Sequence, residues 1–159
     1  TIIDHIINLG LNYVVEIWKE HFYKFHLFKN NKQFDNLNIF HPSQNRYVCG
    51  GFEWTNDADE NQPAIGTVAG TPVEIPVAPE NHIIEVYAHV GYLLDRLFFV
   101  TMETKNPIKT HGFTCGGVHG ARVNATPTGR CRMVNIAGTT KTVDGSQLLS
   151  TMEFTWFCT

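Results

Sequence analysis

Five residues near the middle of the chain, Gly91-Tyr92-Leu93-Leu94-Asp95, place a glycine and a carboxylate within one short turn. Glycine permits a tight reversal, so the backbone N–H groups of such a turn can converge on one spot. The Asp95 carboxylate can accept two hydrogen bonds, and bonds to a charged acceptor are the stronger kind. This chemistry suits a ligand with two adjacent hydroxyl groups. The alternative is a plain turn in which Asp95 pairs with Arg96 or caps local backbone.

The elements that must position this turn are two predicted strands within residues 82–101. Every second residue of the first arm is apolar, which is the pattern of a half-buried strand. The inward set is predicted to be Ile84, Val86, Ala88 and Val90, and the outward set Glu85, Tyr87 and His89. The second arm is apolar on both sides from Leu97 to Val100, as in a strand covered on both faces. We therefore predict a hairpin with a five-residue turn, 91–95.

Length and composition narrow the class of protein. A chain of 159 residues predicts a single domain, 1–159, that buries roughly 70% of its unfolded surface. Its 11 Phe, 5 Tyr and 3 Trp favour β structure. The net charge of −3 is too mild to indicate nucleic acid or an anionic membrane as partner. Because no apolar run reaches about 18 residues, we expect no membrane insertion.

The rest of the chain reads as further strands. Residues 1–28 are interpreted as two strands with a turn near Gly10 to Tyr13, although apolar residues at helical spacing leave a helix as the alternative. Later predicted strands are Leu37–Phe40, Thr71–Val77, Ala121–Ala125, and a final hairpin of Arg130–Ala137 and Leu148–Phe157 joined by a Thr/Gly-rich loop. A weak repeat of strand, glycine turn, aromatic strand and Gly-Gly loop indicates three four-stranded units. Closing them on a shared core gives a prism with few free edges.

Residues 71–104 resemble the central part of jacalin-related lectins, in which a Pro-x-Glu strand, an Ile-x-x-Val strand, a turn and a Leu-x-Phe-x-Thr strand follow one another. Residues 129–157 are similar to the family's closing hairpin, and the glycine-rich loop at 116–120 fits the connection between them. The resemblance covers about 65–157. It implies an all-β fold, the β-prism of three four-stranded Greek-key sheets.

Two features depart from the family pattern. The family's first strand pair, with its own Gly-Gly loop, has no counterpart ahead of Thr1, so we expect the N-terminal strands to be incomplete. The cysteines and the acidic insertion at 53–62 are also unlike the cysteine-free plant members.

The resemblance implies a carbohydrate-binding lectin, since the family holds sugar with a Gly-x-x-x-Asp turn facing a Gly-Gly loop. The matching residues are Gly91, Tyr92, Leu93, Leu94 and Asp95 in the turn and Gly116 and Gly117 in the loop. Tyr92 offers an apolar face to a sugar ring. Mannose- or glucose-type sugars are favoured over galactose, because galactose-type members use a freed N-terminal glycine amine and Thr1 provides none.

The two other glycine turns lack the acid. Gly10–Val14 ends in Val, and Gly145–Leu149, the position most used by the family, ends in Leu. The alternative function is therefore a β-prism that serves protein interaction or assembly and has lost sugar binding. One site making a few hydrogen bonds of about 1 kcal/mol each would bind at roughly millimolar concentration. We accordingly expect a homo-oligomer that gains avidity from several copies.

The chain has an even number of cysteines, four, and none of them forms a Cys-x-x-Cys pair. Cys131 and Cys158 fall opposite each other in the closing hairpin, which predicts a disulfide and leaves Cys49 with Cys115 or both free. The alternative is four buried thiols. Disulfides and the sequon at Asn124, which makes that residue a candidate for glycosylation, favour a secreted, extracellular protein.

Other chemistries find little support. Residues 57–61 begin like a calcium loop, but Gln62 and Val68 stand where glycine and glutamate are needed. His111, Cys115 and His119 lie in a glycine-rich segment rather than on a helix face, so we expect no metal. Glu80, Glu85 and Asp95 show no spacing that pairs two carboxylates for glycoside hydrolysis. We expect no catalytic residues, no cofactor and no enzyme activity.

Overall fold

The computed structural model describes residues 3–8, 13–18, 34–41, 48–56, 64–77 and 79–158. Within these ranges the chain forms twelve β-strands, and none of the described residues forms a helix with the length and hydrophobicity needed to cross a bilayer. The strands are β1 Ile3–Asn8, β2 Tyr13–Trp18, β3 Phe34–Phe40, β4 Gly51–Asn56, β5 Ile65–Gly66, β6 Val73–Pro76, β7 Asn81–Val90, β8 Leu94–Glu103, β9 Thr110–Gly116, β10 Ala121–Asn124, β11 Cys131–Val143 and β12 Ser146–Cys158.

The strands form three four-stranded antiparallel sheets, in the orders β11-β12-β1-β2, β10-β7-β8-β9 and β5-β4-β3-β6. This is the β-prism that the resemblance implies. The leading strand pair expected to be missing is supplied by β1 and β2, which pair with each other while β1 also pairs with β12. The two strands predicted within residues 1–28 are therefore confirmed; of the turn predicted near Gly10 to Tyr13, Tyr13 is the first residue of β2 and the rest lies outside the described residues.

A cluster of buried side chains draws on all three sheets. Its largest fully buried members are Phe52, Phe99, Phe154 and Trp156. Phe99 of β8 meets Phe154 of β12 edge to face, with 6.0 Å between ring centroids. Fully burying a side chain of this size stabilises the folded protein by about 1.5 to 3 kcal/mol. The cluster therefore holds the three sheets against one another.

A β-bulge in β7 changes which isoleucine faces the core. The pairing of β7 with β8 shifts register between Ile83 and Glu85, as happens when one extra residue is inserted. Ile83 is fully buried and Ile84 only half-buried, so the prediction that Ile84 faces inward was wrong. Val86 and Ala88 beyond the bulge are fully buried, as predicted.

Strand β8 is covered completely on one face only. Leu97 and Phe99 are fully buried, whereas Phe98 and Val100 are half-buried, so the prediction of a strand covered on both faces was wrong. Phe98 instead stacks on Tyr87 of β7 on the outer face, at 4.8 Å between ring centroids.

The β11–β12 hairpin is longer than the sequence indicated. The pairing runs continuously to Val143 and Ser146, so the turn consists of Asp144 and Gly145 alone. Both have positive φ, 49° and 80°, which is the conformation that two-residue Asp-Gly hairpins favour. The predicted Thr/Gly-rich loop was therefore wrong, because most of it is strand.

Two disulfides tie these elements together. Cys131 and Cys158, register partners at the open end of the β11–β12 hairpin, are bonded as predicted. Cys49 is bonded to Cys115 of β9, across a sequence separation of 66. Neither the reading with Cys49 and Cys115 free nor the reading with four thiols holds.

Candidate functional site

The glycine turn between β7 and β8 is shorter than predicted. Val90 pairs with Leu94, so the loop comprises residues 91–93, and Asp95 is the second residue of β8. The Gly91 N–H donates to the Leu93 carbonyl at 3.0 Å. Leu94 is fully buried, so its side chain belongs to the core and only its backbone lies near the turn.

The Asp95 carboxylate lies between two glycines. A Cβ atom placed on Gly91 would come within 2.6 Å of Asp95 Oδ2, and one placed on Gly120 would come equally close. Gly91 is therefore needed for the space it leaves rather than for a left-handed conformation, since its φ is not positive. Gly120 was not among the predicted site residues, although the third glycine of the 116–120 loop was a signal for it.

The Gly116–Gly120 loop is joined directly to the backbone of Asp95. The Gly117 N–H donates to the Asp95 carbonyl at 2.8 Å. Gly116 has a φ of +86°, and a Cβ there would overlap that same carbonyl oxygen. The structure thus brings together Gly91, Asp95, Gly116 and Gly117. Because the Gly117 N–H is already used, this glycine holds the loop in place rather than offering a donor to a ligand.

The Cys49–Cys115 disulfide lies beneath this arrangement. Cys115 directly precedes Gly116, and the Cys49 N–H donates to the Leu94 carbonyl at 2.8 Å. The segment around Cys49 is therefore covalently linked to the strand that leads into the Gly116–Gly120 loop and hydrogen-bonded to the first residue of the strand that carries Asp95.

Tyr92 stands at the tip of the turn with 70% of its surface exposed. Lys141 of β11 contacts Tyr92 in two ways. Its Nζ donates a hydrogen bond to the Tyr92 carbonyl at 3.2 Å and lies 4.4 Å from the centroid of the Tyr92 ring. Sequence reasoning missed Lys141, because 49 residues separate it from Tyr92. The ring keeps an exposed surface that can pack against a ligand.

The rim of the site carries polar groups, and no cation among the described residues is paired with the Asp95 carboxylate. His89 Nδ1 lies 3.2 Å from the Val118 carbonyl, so it donates when that nitrogen carries the proton. No ion pair joins Asp95 to Arg96 or to any other residue that the structure describes. The alternative interpretation, in which Arg96 neutralises Asp95, is therefore not seen. The carboxylate is a charged acceptor placed at a glycine-lined surface.

No protein-family model matches the chain, and no curated protein matches it. Solved structures do. A prostate-specific WGA16 glycoprotein lectin superposes with a TM-score of 0.59 at 18% identity, covering 80% of this chain and 83% of the other. A Malaysian banana lectin gives 0.59 at 14% identity, covering 80% and 84%. A mannose-binding jacalin-related lectin from Ananas comosus gives 0.55 at 15% identity, covering 97% and 99%.

The chain has the fold of the jacalin-related lectins. Within this jacalin-related fold, the β11–β12 turn is unlike the β7–β8 turn. Counted from Gly145, Leu149 takes the place of the acid in the Gly-x-x-x-Asp pattern, but it is the fourth residue of β12, whereas Asp95 is the second residue of β8, and Leu149 is fully buried. A Cβ on Gly145 would meet no atom within 4 Å. The corresponding turn near Gly10 lies outside the described residues.

The remaining predicted positions are away from this turn or concern other chemistry. Asn124 on β10 is exposed, and its Oδ1 accepts from the Thr126 N–H at 3.1 Å. Cys115 is bonded to Cys49 and so is not a metal ligand. Among the described residues no three His, Cys, Asp or Glu side chains are grouped to hold a metal ion. The acidic segment 57–61 lies outside the described part of the chain.

Proposed function

We propose that this protein is a lectin that binds a mannose- or glucose-type sugar. The site would comprise the turn Gly91, Tyr92, Leu93, Leu94 and Asp95 with the facing Gly116 and Gly117. The observation that carries the proposal is the Asp95 carboxylate, which lies between Gly91 and Gly120 with no cation from the described residues paired to it.

The chemistry follows from this placement. A carboxylate with two oxygens accepts from two adjacent hydroxyls of one sugar ring, and such charge-assisted bonds contribute about 1.5 to 3 kcal/mol each. The glycines leave room for the ring to approach the backbone. Tyr92 packs its exposed face against the apolar side of the sugar. Gly117 keeps the loop against Asp95 through its bond to the Asp95 carbonyl.

The type of sugar is proposed from the comparison with the Ananas comosus protein, which has the same fold and is described as mannose-binding. A single shallow site of this kind binds at roughly millimolar concentration. Useful avidity therefore requires several copies, and we propose a homo-oligomer for that reason. The activity proposed is binding without catalysis.

We also propose that the protein acts outside the cell. Both disulfides need an oxidising compartment to form and persist. Asn124 is exposed on a short strand and remains a candidate for glycosylation.

A glycan array followed by calorimetry tests the function. The wild-type protein is expected to bind mannose- or glucose-type glycans, and Asp95→Asn is expected to weaken binding at least tenfold, because an amide replaces the charged acceptor. Asp144→Asn is the matched control, an exposed acid in the other hairpin turn, and should bind as wild type. A blank array would favour the alternative of a β-prism for protein interaction or assembly, and equal glycan binding by Asp95→Asn would contradict the assignment of the sugar site to Asp95.

A further inference from the structure

A second β-bulge lies at the start of β8, beside the glycine turn. His89 of β7 pairs with Arg96, whereas the next residue of β7 pairs with Leu94. Asp95 is therefore an extra residue in β8. Leu94 and Leu97 are both fully buried although three residues separate them, whereas strict alternation would bury every second residue. Asp95 and Arg96 are both half-buried, so an acid and a base that are consecutive in the chain both point away from the core.

A row of basic side chains crosses the outer face of the sheet at the level of this bulge. Arg122 of β10 pairs with His89 of β7, which pairs in turn with Arg96 of β8. Residues directly opposite each other in an antiparallel sheet lie on the same face, with Cβ atoms about 4.5 to 5.5 Å apart. The next position in the row, on β9, is Gly116, which has no side chain to cover Arg96.

The two arginines of this row have no acidic partner within the part of the chain that the structure describes. Neither guanidinium forms an ion pair with Asp95, or with Glu85, the exposed acid further along β7. The Arg122 guanidinium carbon lies 4.0 Å from the centroid of the Tyr87 ring, so it contacts an aromatic face. The Nε of Arg96 is buried without a hydrogen-bond partner among the described residues. Because a buried donor without an acceptor costs free energy, an acceptor supplied by a ligand would be stabilising.

This arrangement suits a hydroxylated ring that also carries an anionic group. Asp95 can accept from two adjacent hydroxyls, but a carboxylate alone repels an anion. The two guanidinium groups on the same face outweigh that single negative charge, and their planar fork of N–H donors matches an anionic group with several oxygens. Since consecutive Cα atoms are about 3.8 Å apart, Asp95 and Arg96 are both within reach of one sugar ring.

We propose that the site binds an acidic sugar, a mannose- or glucose-type ring with a carboxylate or a sulfate at C6, which rests on the proposed sugar site and narrows its class of ligand. Asp95 accepts from the hydroxyls, Arg96 donates to the anionic group, and Arg122 adds positive charge in the same row. A neutral sugar would leave Arg96 without an acceptor. An inorganic anion would leave Asp95 without hydroxyl donors.

Calorimetry on the intact protein tests this with matched methyl glycosides of whichever sugar, mannose or glucose, the array selects. The ligands are the neutral glycoside, its C6 uronate, the methyl ester of that uronate and the 6-sulfate. At least one charged sugar should bind at least tenfold more tightly than the neutral glycoside and the ester, because it alone supplies a charged acceptor. The tighter of the uronate and the sulfate identifies the anion. No gain for either charged sugar would overturn the proposal.

Substitutions in the row locate the anionic group. Arg96→Gln should bring the ratio of charged to neutral sugar affinity close to one. Arg122→Gln should lower that ratio by a smaller factor, because its guanidinium lies over Tyr87 and so further along the strand from the turn. Arg130→Gln is the matched control, an exposed arginine near His82 at the other end of β7, and should leave the ratio unchanged.

The affinity ratio separates a contact with the anion from a structural effect, because a damaged fold weakens the binding of both sugars. An unchanged ratio in Arg96→Gln would contradict the proposal. A protein that binds the neutral glycoside through Asp95 and gains nothing from the charge would keep the proposed sugar site and lose the acidic class of ligand. A protein that binds none of the four glycosides would lose both.

Discussion

The two hairpins β7–β8 and β11–β12 both turn at a glycine, but the two glycines serve different physical needs. Gly91 leaves the space that the Asp95 carboxylate occupies, and a Cβ there would meet Oδ2 at 2.6 Å. Gly145 has open space around it and is required by its φ of +80°. One glycine makes room for a chemical group, and the other permits a backbone conformation.

The acids of the two hairpins differ in the same way. Asp95 lies on the strand beside a glycine-lined surface, whereas Asp144 lies in the turn itself with positive φ. At the same spacing from its glycine, β12 has Leu149, which is fully buried. Because the β11–β12 turn is shorter, this spacing reaches a core position on β12, whereas in β8 it reaches a carboxylate at the surface. A Gly-x-x-x-Asp pattern is informative only where the acid remains at the surface.

The largest expected effect comes from removing either of the two disulfides, one of which closes the β11–β12 hairpin while the other lies next to the β7–β8 turn. Replacing Cys49 and Cys115 by alanine should lower the free energy of unfolding by about 4 kcal/mol, and replacing Cys131 and Cys158 by somewhat less, because the first closes the longer loop. Only the first pair lies beneath Asp95, so only its loss should weaken sugar binding. Urea unfolding and calorimetry measure the two quantities. Loss of sugar binding in the Cys131/Cys158 variant alone would contradict the comparison.

Alanine at the two turn glycines should give crossed results. Gly91→Ala displaces the Asp95 carboxylate, the flexible end of a side chain, so sugar binding should fall at least tenfold with little change in stability. Gly145→Ala forces a side chain into a left-handed conformation and should cost about 1 kcal/mol of stability with no change in sugar binding. Thermal unfolding and sugar titration of both variants provide the test. Equal effects on binding would mean that the two turns are alike.

The smallest expected effect lies at the open ends of the same hairpins, where His82 meets Arg132. Burial, and then the charge of Arg132, lowers the pKa of His82 below 6.5. The unfolded chain therefore takes up the proton first, so stability present above pH 6.5 is lost as pH falls towards the lower pKa of the folded protein.

His82→Gln should reduce this acid-side loss and leave sugar binding unchanged, because the residue is remote from Asp95. Urea midpoints at pH about 7.5 and about 5, on either side of the ordinary histidine pKa, measure it. A variant that loses as much stability as the wild type would show that His82 does not control the change.

The sequence predicts the strand pattern better than the details of the site. Alternation located β7, and the repeat indicated three four-stranded units. The sequence pattern did not predict the bulge that moves Ile84 outward, because a bulge depends on how β7 pairs with the neighbouring strand. The Thr/Gly-rich segment that the sequence predicts to be a loop is mostly strand, because it pairs with β12.

The candidate site shows the same division. The contiguous Gly91–Asp95 motif and the Gly116-Gly117 pair were visible in the sequence, and the structure brings them together. The sequence did not identify Lys141 or the Cys49–Cys115 disulfide as parts of the site, because their contacts with it depend on how the hairpins pack. The row of basic residues Arg122, His89 and Arg96 was not predicted either, because the pairing of three separate strands brings them together.

Titration of the ¹⁵N-labelled protein with methyl α-mannoside, followed by ¹H–¹⁵N NMR, tests most directly whether the two turns differ in function. The largest shifts are expected at the amides of residues 91–95 and 116–120, and none at residues 144–149. Shifts centred on residues 144–149, or no shifts at Gly91 to Asp95 at saturating sugar, would contradict the assignment of the sugar site to Asp95.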